Sequence, residues 1–411
     1  MSAIPMHAAA VGLRARARQA APWAVVASAF AVPLPAAWIG LGTSAFVLLW
    51  LLGGSLAQRW GTIRSTPIAW MALLLWAWMG LAVLWSPAVL PESLFNWWQY
   101  RELLLLPLMA SVVLCDPQTA QRWQPRIVDA FLAGFVVALV ASKLRWLGLL
   151  PDMGFKGEYA GFGGRTGFSL MLAFVAFVAI ERLRLRTQQR VRWAALALVC
   201  LLNLYLINTG RTGQLGFLLL LPLLAWRWGG RRALWAGVIA APLLGGLLLA
   251  TVPSIQGRAQ ASLEQIDAFR AGGPQLGDGV RLQYWQEAVN FIQAAPAFGA
   301  GTGSHAHRAR EAAARAAEPP NRPPGNPHNE YLLIMSQQGV VGLALLLLLW
   351  ATQWRNAAQT EGAARAMTQA LLLLIATGDL FNSFLLDNLE GHFYLVITLA
   401  LAAAPEAQDR S

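Results

Sequence analysis

Charged residues are scarce in this chain of 411 residues. Only 12% of the residues are charged, 57% are apolar, and the mean hydropathy is +0.48. A soluble domain carries about 25% charged residues, so this chain has too little charge to cover a water-exposed surface. The scarcity excludes an ordinary soluble multidomain protein and predicts that lipid surrounds most of the chain. The 19 Trp residues favour the same conclusion, because Trp concentrates where a bilayer meets water.

Lysine, cysteine and metal-binding motifs are also rare or missing. Lys143 and Lys156 are the only lysines among 31 basic residues, and the net charge of +11 is spread among apolar runs. Since the basic residues form no single patch, no nucleic-acid partner is predicted. Cys115 and Cys200 form no CxxC pair, which argues against a disulfide framework. The absence of HExxH, DxD or a close His/Cys cluster predicts no catalytic metal and no other cofactor.

Long apolar runs are what the sequence has in abundance. A hydrocarbon core of ~30 Å needs about 20 helical residues. The candidate spans lie near 22–37, 38–57, 67–85, 100–115, 127–147, 167–181, 192–209, 212–228, 233–252, 329–351, 366–386 and 391–404. We therefore predict an all-α polytopic membrane protein with about 12 transmembrane helices. Arg14, Arg16 and Arg18 before the first span could pass for a signal peptide, but the many later spans favour an uncleaved first helix.

The distribution of basic residues predicts the orientation. With the N-terminus in the cytoplasm, 18 basic residues fall in inner segments and 6 in short outer loops. The positive-inside rule then predicts that both termini are cytoplasmic. Three parts follow: membrane helices over 1–252 (about nine spans), a long outer loop over 253–328, and three membrane helices with a cytoplasmic tail over 329–411.

The outer loop has its own pattern, which distinguishes it from a structureless linker. Residues 280–294 carry apolar side chains at helical spacing and predict a helix, which Pro296 ends. Residues 304–318 are rich in Ala and predict a second helix, and 319–327 predict a stiff Pro-rich connector. No paired short, broken helices of the kind found in inverted-repeat transporters are predicted.

Two outer arginines share an Arg-Thr-Gly pattern at a predicted helix start. Arg211 lies in Gly210-Arg211-Thr212-Gly213, and Arg165 precedes Thr166 and Gly167. An arginine at a helix end commonly reaches to the lipid headgroups. The flanking glycines alternatively let a phosphate approach the backbone at a helix N-terminus. Both interpretations stay open from the pattern alone.

Arg281 and His328 are further candidates on the outer side. Arg281 opens the predicted loop helix after Gly-Asp-Gly, and it is either a surface residue or a guanidinium that grips a pyrophosphate. His328 lies where the loop re-enters the membrane, as a structural residue or as a base for a hydroxyl proton. His305 and His307 are expected to be solvent-exposed.

Acidic residues near the last spans need an explanation. Asp379 is predicted inside the eleventh span, with Asp387 and Glu390 at its outer end. An acid within a bilayer is costly and needs a partner. Asp379 is therefore either a transport site or a residue that positions an arginine.

Three short segments resemble the lipopolysaccharide O-antigen ligase and O-antigen polymerase superfamily. They are Ala295-Pro296-Ala297-Phe298-Gly299-Ala300-Gly301-Thr302-Gly303, Pro327-His328-Asn329-Glu330-Tyr331-Leu332 and Gln338-Gly339-Val340-Val341-Gly342. The Gly-Arg-Thr-Gly segment at 210–213 and the single long outer loop are also similar, so the resemblance covers about residues 200–390. The segment from Asn382 to Phe393 resembles the ligases more than the polymerases.

The resemblance implies a metal-independent glycosyltransferase of the bacterial inner membrane with a periplasmic active site. It implies an undecaprenyl pyrophosphate-linked O-antigen as donor and a sugar of lipid A–core as acceptor. The family's key His maps to His328, its pyrophosphate-binding arginines map to Arg211 and Arg281, and an intramembrane acid maps to Asp379. Arg165, Asp379 and Asn329 are expected to contact substrate, although the resemblance gives Arg165 no role.

Three other functions stay open at this point. An O-antigen polymerase would extend another lipid-linked repeat, and a protein O-oligosaccharyltransferase would modify a protein hydroxyl. A lipid-linked sugar flippase or other transporter would need ionisable residues along a path between the two faces. The candidates here cluster on the outer side, which favours an enzyme.

Overall fold

The computed structural model describes residues 4–151, 159–185, 187–272, 277–315, 325–360 and 362–403. Within these ranges every regular element is helical. The α-helices are α1 Ile4–Ala31, α2 Ala36–Gly53, α3 Leu56–Ser65, α4 Pro67–Leu81, α5 Leu90–Gln99, α6 Arg101–Val113, α7 Pro117–Trp146, α8 Arg165–Leu185, α9 Arg190–Leu202, α10 Arg211–Thr251, α11 Pro253–Arg270, α12 Asp278–Ala294, α13 Ser304–Arg315, α14 Glu330–Ala358, α15 Gly362–Gly378 and α16 Asn388–Leu401. A 3₁₀ turn, Ala82–Trp85, extends α4, and a π-helical turn, Asn203–Ile207, extends α9.

Each of the twelve predicted spans overlaps a helix, although the eleventh, 366–386, continues past the end of α15 at Gly378, and the all-α class is confirmed for the described residues. The eighth and ninth spans form the single range α10, interrupted at Gly230, whose φ of 67° lies outside helical geometry. Six helices in the described part of the chain are long and apolar enough to cross a membrane: Ala36–Gly53, Pro67–Trp85, Pro117–Trp146, Arg190–Ile207, Arg211–Thr251 and Glu330–Ala358. The count of twelve spans stays a prediction, as do the orientation and the three-part division.

The centre of the bundle is formed by helices that are apolar on all sides. Nearly every residue of α8 from Gly167 to Ala179 is buried, and α16 is buried from Glu390 to its end. Aromatic rings fill the space between them, as in the edge-to-face contact of Phe174 and Phe393 at 5.3 Å. A helix without a polar stripe is enclosed either by other helices or by lipid, and the burial of α8 and α16 shows that other helices enclose them. These two helices therefore form the core around which the rest packs.

The second half of α10 has the opposite character. Trp235, Ile239, Leu243 and Leu247 are all more than half exposed, although each is strongly apolar. Such an exposed face is unfavourable in water and ordinary in hydrocarbon. This exposed apolar face thus agrees with the lipid environment that the composition predicts.

Helix α14 is broken at Gly339, a feature that the apolar run over 329–351 does not indicate. Gly339 has φ 65° and ψ −165°, and the segment 295–303 lies against the break. Val340 N–H donates to the Pro296 carbonyl at 2.9 Å, and Gly301 N–H donates to the Gln337 carbonyl at 2.8 Å. A Cβ at position 339 would lie 2.3 Å from the Ala297 oxygen. Two of the three segments that carry the family resemblance therefore form one structural joint.

The predicted loop helices are present as α12 and α13, and α11 precedes them. Helix α13 ends at Arg315, and the predicted continuation to residue 318 lies outside the described residues. Most of the predicted connector 319–327 also lies outside them, as do three of the basic residues, Lys156, Arg186 and Arg410.

Candidate functional site

Arg165 and Arg211 are the first residues of α8 and α10, as the repeated Arg-Thr-Gly pattern predicts. The two helix starts lie side by side. A Cβ at Gly210 would lie 2.6 Å from the Arg165 oxygen, and one at Gly213 would lie 2.2 Å from the Ser169 oxygen. The glycines thus allow two helices to approach closely. The predicted role of these glycines, close access of a phosphate to the backbone, is not what their contacts indicate.

The Arg211 guanidinium makes a bidentate pair with Asp278, the first residue of α12. Nη1 lies 2.7 Å from Oδ2 and Nη2 lies 2.9 Å from Oδ1, while Nη1 also contacts the Ser262 hydroxyl at 2.6 Å. The hydrogen bonds from Arg211 lower the pKa of Asp278 to about 2. Asp278 is therefore a carboxylate at any physiological pH. It ties the loop helix α12 to the start of α10.

Arg281 joins this cluster from the next turn of α12. Its Nη1 lies 3.9 Å from Asp278 Oδ1, so one carboxylate faces two guanidinium groups. Burial lowers the pKa of Arg281, and the nearby positive charges of Arg211 and Arg165 lower it further. The three predicted arginines are thus brought into one electrostatic neighbourhood. Their combined field favours an anion of high charge density.

The cluster borders a cavity of about 390 Å³. Arg211, Asp278 and Arg281 form its polar side, and the remaining wall is mostly apolar, made by Leu215, Ile266, Leu282, Trp285 and Phe381. A second cavity of about 200 Å³ shares Arg211 and runs along Leu218, Leu248 and Ile255. A third, of about 700 Å³, shares Leu282 and Trp285. The positive cluster thus stands between apolar compartments, an arrangement that suits an amphiphile with an anionic group.

His328 lies on the exposed turn before α14 and has an unusual backbone. Its φ of 54° is in the left-handed region, which residues with a Cβ rarely adopt. Its N–H donates to the Asn326 side-chain oxygen at 2.8 Å, and Ser383 donates to the same oxygen at 2.9 Å. The Trp285 indole N–H donates to the Pro327 carbonyl at 3.0 Å.

The surroundings of His328 favour the neutral imidazole. Neighbouring protein atoms displace part of its hydration, and the positive charge of Arg281 repels a second positive charge. Both effects lower the pKa of His328 below its ordinary value. A neutral imidazole is the form that accepts a proton. The structure thus places the predicted base near one of the predicted pyrophosphate arginines.

Asn329 has a structural role that the sequence did not indicate. Its side-chain oxygen accepts from Leu332 N–H at 3.0 Å and so caps α14, and its Nδ2 donates to the Leu380 carbonyl at 3.0 Å. The residue also lines the largest of the three cavities. Its expected contact with substrate stays a prediction.

Asp379 follows the last residue of α15. The helix therefore ends earlier than the predicted eleventh span, and Asp379 lies at the helix end and not within the helix. The side chain is fully buried, and Oδ1 accepts from Phe384 N–H at 3.0 Å. Its carbonyl accepts from Glu330 N–H at 2.9 Å, which links the end of α15 to the start of α14. Within the described residues no arginine pairs with it. The contacts therefore favour a structural role for Asp379 in the turn that faces His328's segment.

The two loop histidines differ from the expectation of exposure. His305 is only 1% exposed, with Nδ1 3.1 Å from the Ser336 hydroxyl, and burial lowers its pKa to about 4. The prediction was wrong for His305 because α13 packs against α14, a tertiary contact that the Ala-rich pattern does not show. His307 is half-buried and lies 3.3 Å from Glu311.

Several residues of the site were not predicted. Asp278 was visible only as part of the Gly-Asp-Gly segment before Arg281, while Trp285, Asn326 and Ser383 carried no signal of their own. Their roles arise from pairings across long sequence separations. As for metals, the described part of the chain has no group of three or more His, Cys, Asp or Glu side chains arranged to hold an ion.

Comparison with protein-family models gives a match over part of the chain. A protein-family model described as O-antigen ligase matches residues 195–347, and a search of curated proteins found no match. The matched range runs from α9 into α14 and contains Arg211, Asp278, Arg281 and His328, whereas Arg165 and Asp379 lie outside it.

Proposed function

We propose that the chain is an O-antigen ligase, a membrane-embedded transferase. The match over residues 195–347 supports its membership of the O-antigen ligase superfamily. The chain transfers O-antigen polysaccharide from undecaprenyl pyrophosphate to a sugar hydroxyl of lipid A–core. The observation that carries the proposal is that Arg211 and Arg281 line one apolar-walled cavity, while Arg281 is close enough to His328 to lower its pKa in addition to the effect of burial.

Arg211 and Arg281 bind the pyrophosphate of the donor. A cation at the N-terminus of a helix opposes the helix dipole, so Arg211 is poorly placed unless an anion accompanies it. In the described structure Asp278 supplies that anion with two oxygens on one guanidinium fork. Phosphate oxygens offer the same bidentate geometry and more negative charge. We expect the donor to compete with Asp278 for the arginines, and the apolar cavity walls to face the isoprenoid carbons.

His328 activates the acceptor. The hydroxyl oxygen of the acceptor sugar forms the new bond to the anomeric carbon while the bond from that carbon to the pyrophosphate oxygen breaks. The hydroxyl proton passes to the imidazole, and the electron pair of the broken bond stays on the pyrophosphate, next to the two arginines. Direct displacement of this kind inverts the anomeric configuration. Because the donor is already activated and arginine stabilises the leaving group, the mechanism assigns no step to a nucleotide or a metal.

The reaction is assigned to the periplasmic face of the bacterial inner membrane, with both termini in the cytoplasm. Reporter fusions within 253–328 should give periplasmic signals, and fusions at Arg186 and at the C-terminus should give cytoplasmic ones. A cytoplasmic signal from the 253–328 loop would contradict the assignment, because the polymerised donor is expected outside.

The lipopolysaccharide of a deletion strain tests the activity itself. Loss of long-chain bands with accumulation of fully polymerised lipid-linked O-antigen supports a ligase. Lipopolysaccharide capped with a single repeat indicates a polymerase, and loss of protein glycosylation indicates a protein O-oligosaccharyltransferase. Complementation with wild type but not with Arg211→Ala ties the phenotype to the site. Arg270→Ala is the matched control, since Arg270 is 75% exposed on α11 and, within the part of the chain that the structure describes, its ion pair is with Asp267 at 3.7 Å.

A further inference from the structure

One peptide unit beside the site is held at both of its polar ends. The carbonyl of Pro327 and the N–H of His328 belong to the same planar group. The Trp285 indole donates to the carbonyl at 3.0 Å, and the Asn326 side chain accepts from the N–H at 2.8 Å. Such a double clamp fixes the orientation of the peptide plane, and with it the direction in which the His328 side chain leaves the backbone.

The clamp connects two segments that are far apart in sequence. Trp285 is four residues after Arg281 on α12, so the two side chains lie on the same face of the helix. The bond to Pro327 spans 42 residues. Trp285 also lines both the cavity that contains Arg281 and the larger cavity that contains Asn329. The indole is therefore the link between the arginine helix and the histidine turn.

We propose that Trp285 is a positioning residue that sets the distance between the pyrophosphate arginine Arg281 and the base His328. The inference rests on the function proposed above and adds a component to it. Trp285 acts through Pro327 and has no assigned contact with the reacting atoms.

The backbone of His328 explains why a clamp is needed. A residue with a Cβ at φ 54° is strained, and such conformations persist only where the surroundings enforce them. Asn326 enforces it from the side of α16 through its bond with Ser383, and Trp285 enforces it from α12. Without the indole N–H, the peptide keeps one restraint of two. The turn then relaxes while α12 stays fixed by Arg211 and Asp278.

The charged groups around His328 allow its pKa to report the distance between Arg281 and His328. Burial is the larger cause of the low pKa of His328, and the positive charge of Arg281 on α12 lowers that pKa further. The carboxylates of α14 and of the connection between α15 and α16 are Glu330, Asp379 and Asp387. Glu330 accepts from Tyr100 at 2.8 Å, and Asp379 accepts from Phe384 N–H, so two of them are engaged elsewhere. An increase in the distance between Arg281 and His328 should therefore raise the pKa of His328 towards about 6.5.

The test is Trp285→Phe, which keeps an aromatic ring and removes the N–H donor. With purified full-length protein, lipid-linked O-antigen and lipid A–core, we expect kcat to fall about 10-fold or more. The KM for the donor should change less than about 3-fold, because Arg211 and Arg281 remain. The acid limb of the pH–rate profile should move to higher pH. Trp350→Phe is the matched control, since the buried indole N–H of Trp350 has no hydrogen-bond partner among the described atoms.

The outcomes separate this inference from the function on which it rests. A Trp285→Phe enzyme with normal kcat and an unmoved acid limb overturns the positioning role, provided that wild type transfers and depends on His328. An equal loss in Trp350→Phe, or a fall in kcat without a shift of the acid limb, also overturns it in favour of general destabilisation. Absence of transfer by wild type in the same assay counts against the ligase function instead. Thermal unfolding of each variant shows whether it is folded.

Discussion

Two arginine–carboxylate clusters stand at different places in the bundle, and they differ in access. The site cluster consists of Arg211, Arg281 and Asp278, with Asp278 21% exposed beside a cavity of about 390 Å³. The second, here termed the closed cluster, consists of Glu181, Arg184 and Arg227. Glu181 is 0% exposed, and its Oε2 lies 3.0 Å from Arg184 and 3.5 Å from Arg227. Both clusters join two arginines to one carboxylate.

The closed cluster acts as a joint between helices. Arg227 at the end of the first half of α10 also donates to the Gly362 carbonyl at the start of α15 at 3.0 Å, while Glu181 belongs to α8. The three charged side chains there pair with one another, although Glu181 Oε1 and the Nε atoms of Arg184 and Arg227 have no hydrogen-bond partner among the described atoms. In the site cluster the guanidinium of Arg211 is 45% exposed, and we propose that it exchanges its carboxylate for the anion of the donor. The two clusters contain the same kinds of residue. Exposure to solvent therefore distinguishes the candidate binding site from the structural ion pair.

The largest effect is expected from the arginines of the site cluster. Arg211→Ala and Arg281→Ala should each reduce transfer by about 10³-fold or more, the scale found where an arginine stabilises phosphoryl charge. Lys at either position should restore only part of the activity, because an ammonium lacks the planar fork. Transfer by the purified variants measures this. A normal rate for a folded Arg281→Ala would return Arg281 to the role of a surface residue.

The next effect concerns the base. His328→Ala should reduce kcat by about 10²–10⁴-fold, the usual contribution of general-base assistance. The matched control is His307→Ala, since His307 is half-buried on α13 and pairs with Glu311. Equal losses in the two variants would mean that the effect is not specific to His328.

The pH dependence of the rate follows from the direction of the pKa shift. His328 must be neutral to accept a proton, so the rate falls as pH falls through its pKa. Because burial and Arg281 lower that pKa, the acid limb should lie below about pH 6.5, the ordinary value for His. Asp278, with a pKa of about 2, stays ionised throughout this range and adds no limb. An acid limb above pH 6.5 would contradict the described surroundings of His328.

The smallest effect on activity is expected from the closed cluster. Arg227→Ala removes one ion pair with Glu181 and the bond to Gly362, and should lower the free energy of unfolding by roughly 1–3 kcal/mol. The transfer rate per folded molecule should stay unchanged. Denaturant titration and the transfer assay together measure this. Loss of transfer with unchanged stability would mean that the closed cluster also serves the reaction.

The sequence predicted most of the helices and singled out the two arginines of the site cluster, but not its carboxylate. Apolar runs alone located twelve helical segments, and the Arg-Thr-Gly pattern correctly located the starts of α8 and α10. The glycines of this pattern were predicted to give a phosphate access to the backbone, whereas Gly210 and Gly213 pack against α8. Sequence spacing contains no information about that neighbouring helix.

The remaining features depend on contacts between distant segments. The break at Gly339 exists because residues 295–303 lie against α14, and His305 is buried because α13 packs there. Asp278 became part of the site only through its bond to Arg211, 67 residues away. Local pattern indicates which residues are unusual, while tertiary packing decides which of them face one another.

Donor binding and transfer, measured separately on His328→Ala and Arg211→Ala across pH, test the central claim most directly. The account predicts that His328→Ala binds the lipid-linked donor like wild type but fails to transfer it, whereas Arg211→Ala loses donor binding. It also predicts that chelators change neither quantity. If His328→Ala instead lost donor affinity, and the wild type bound the donor more tightly as pH fell, His328 would be a phosphate-binding cation and not the base.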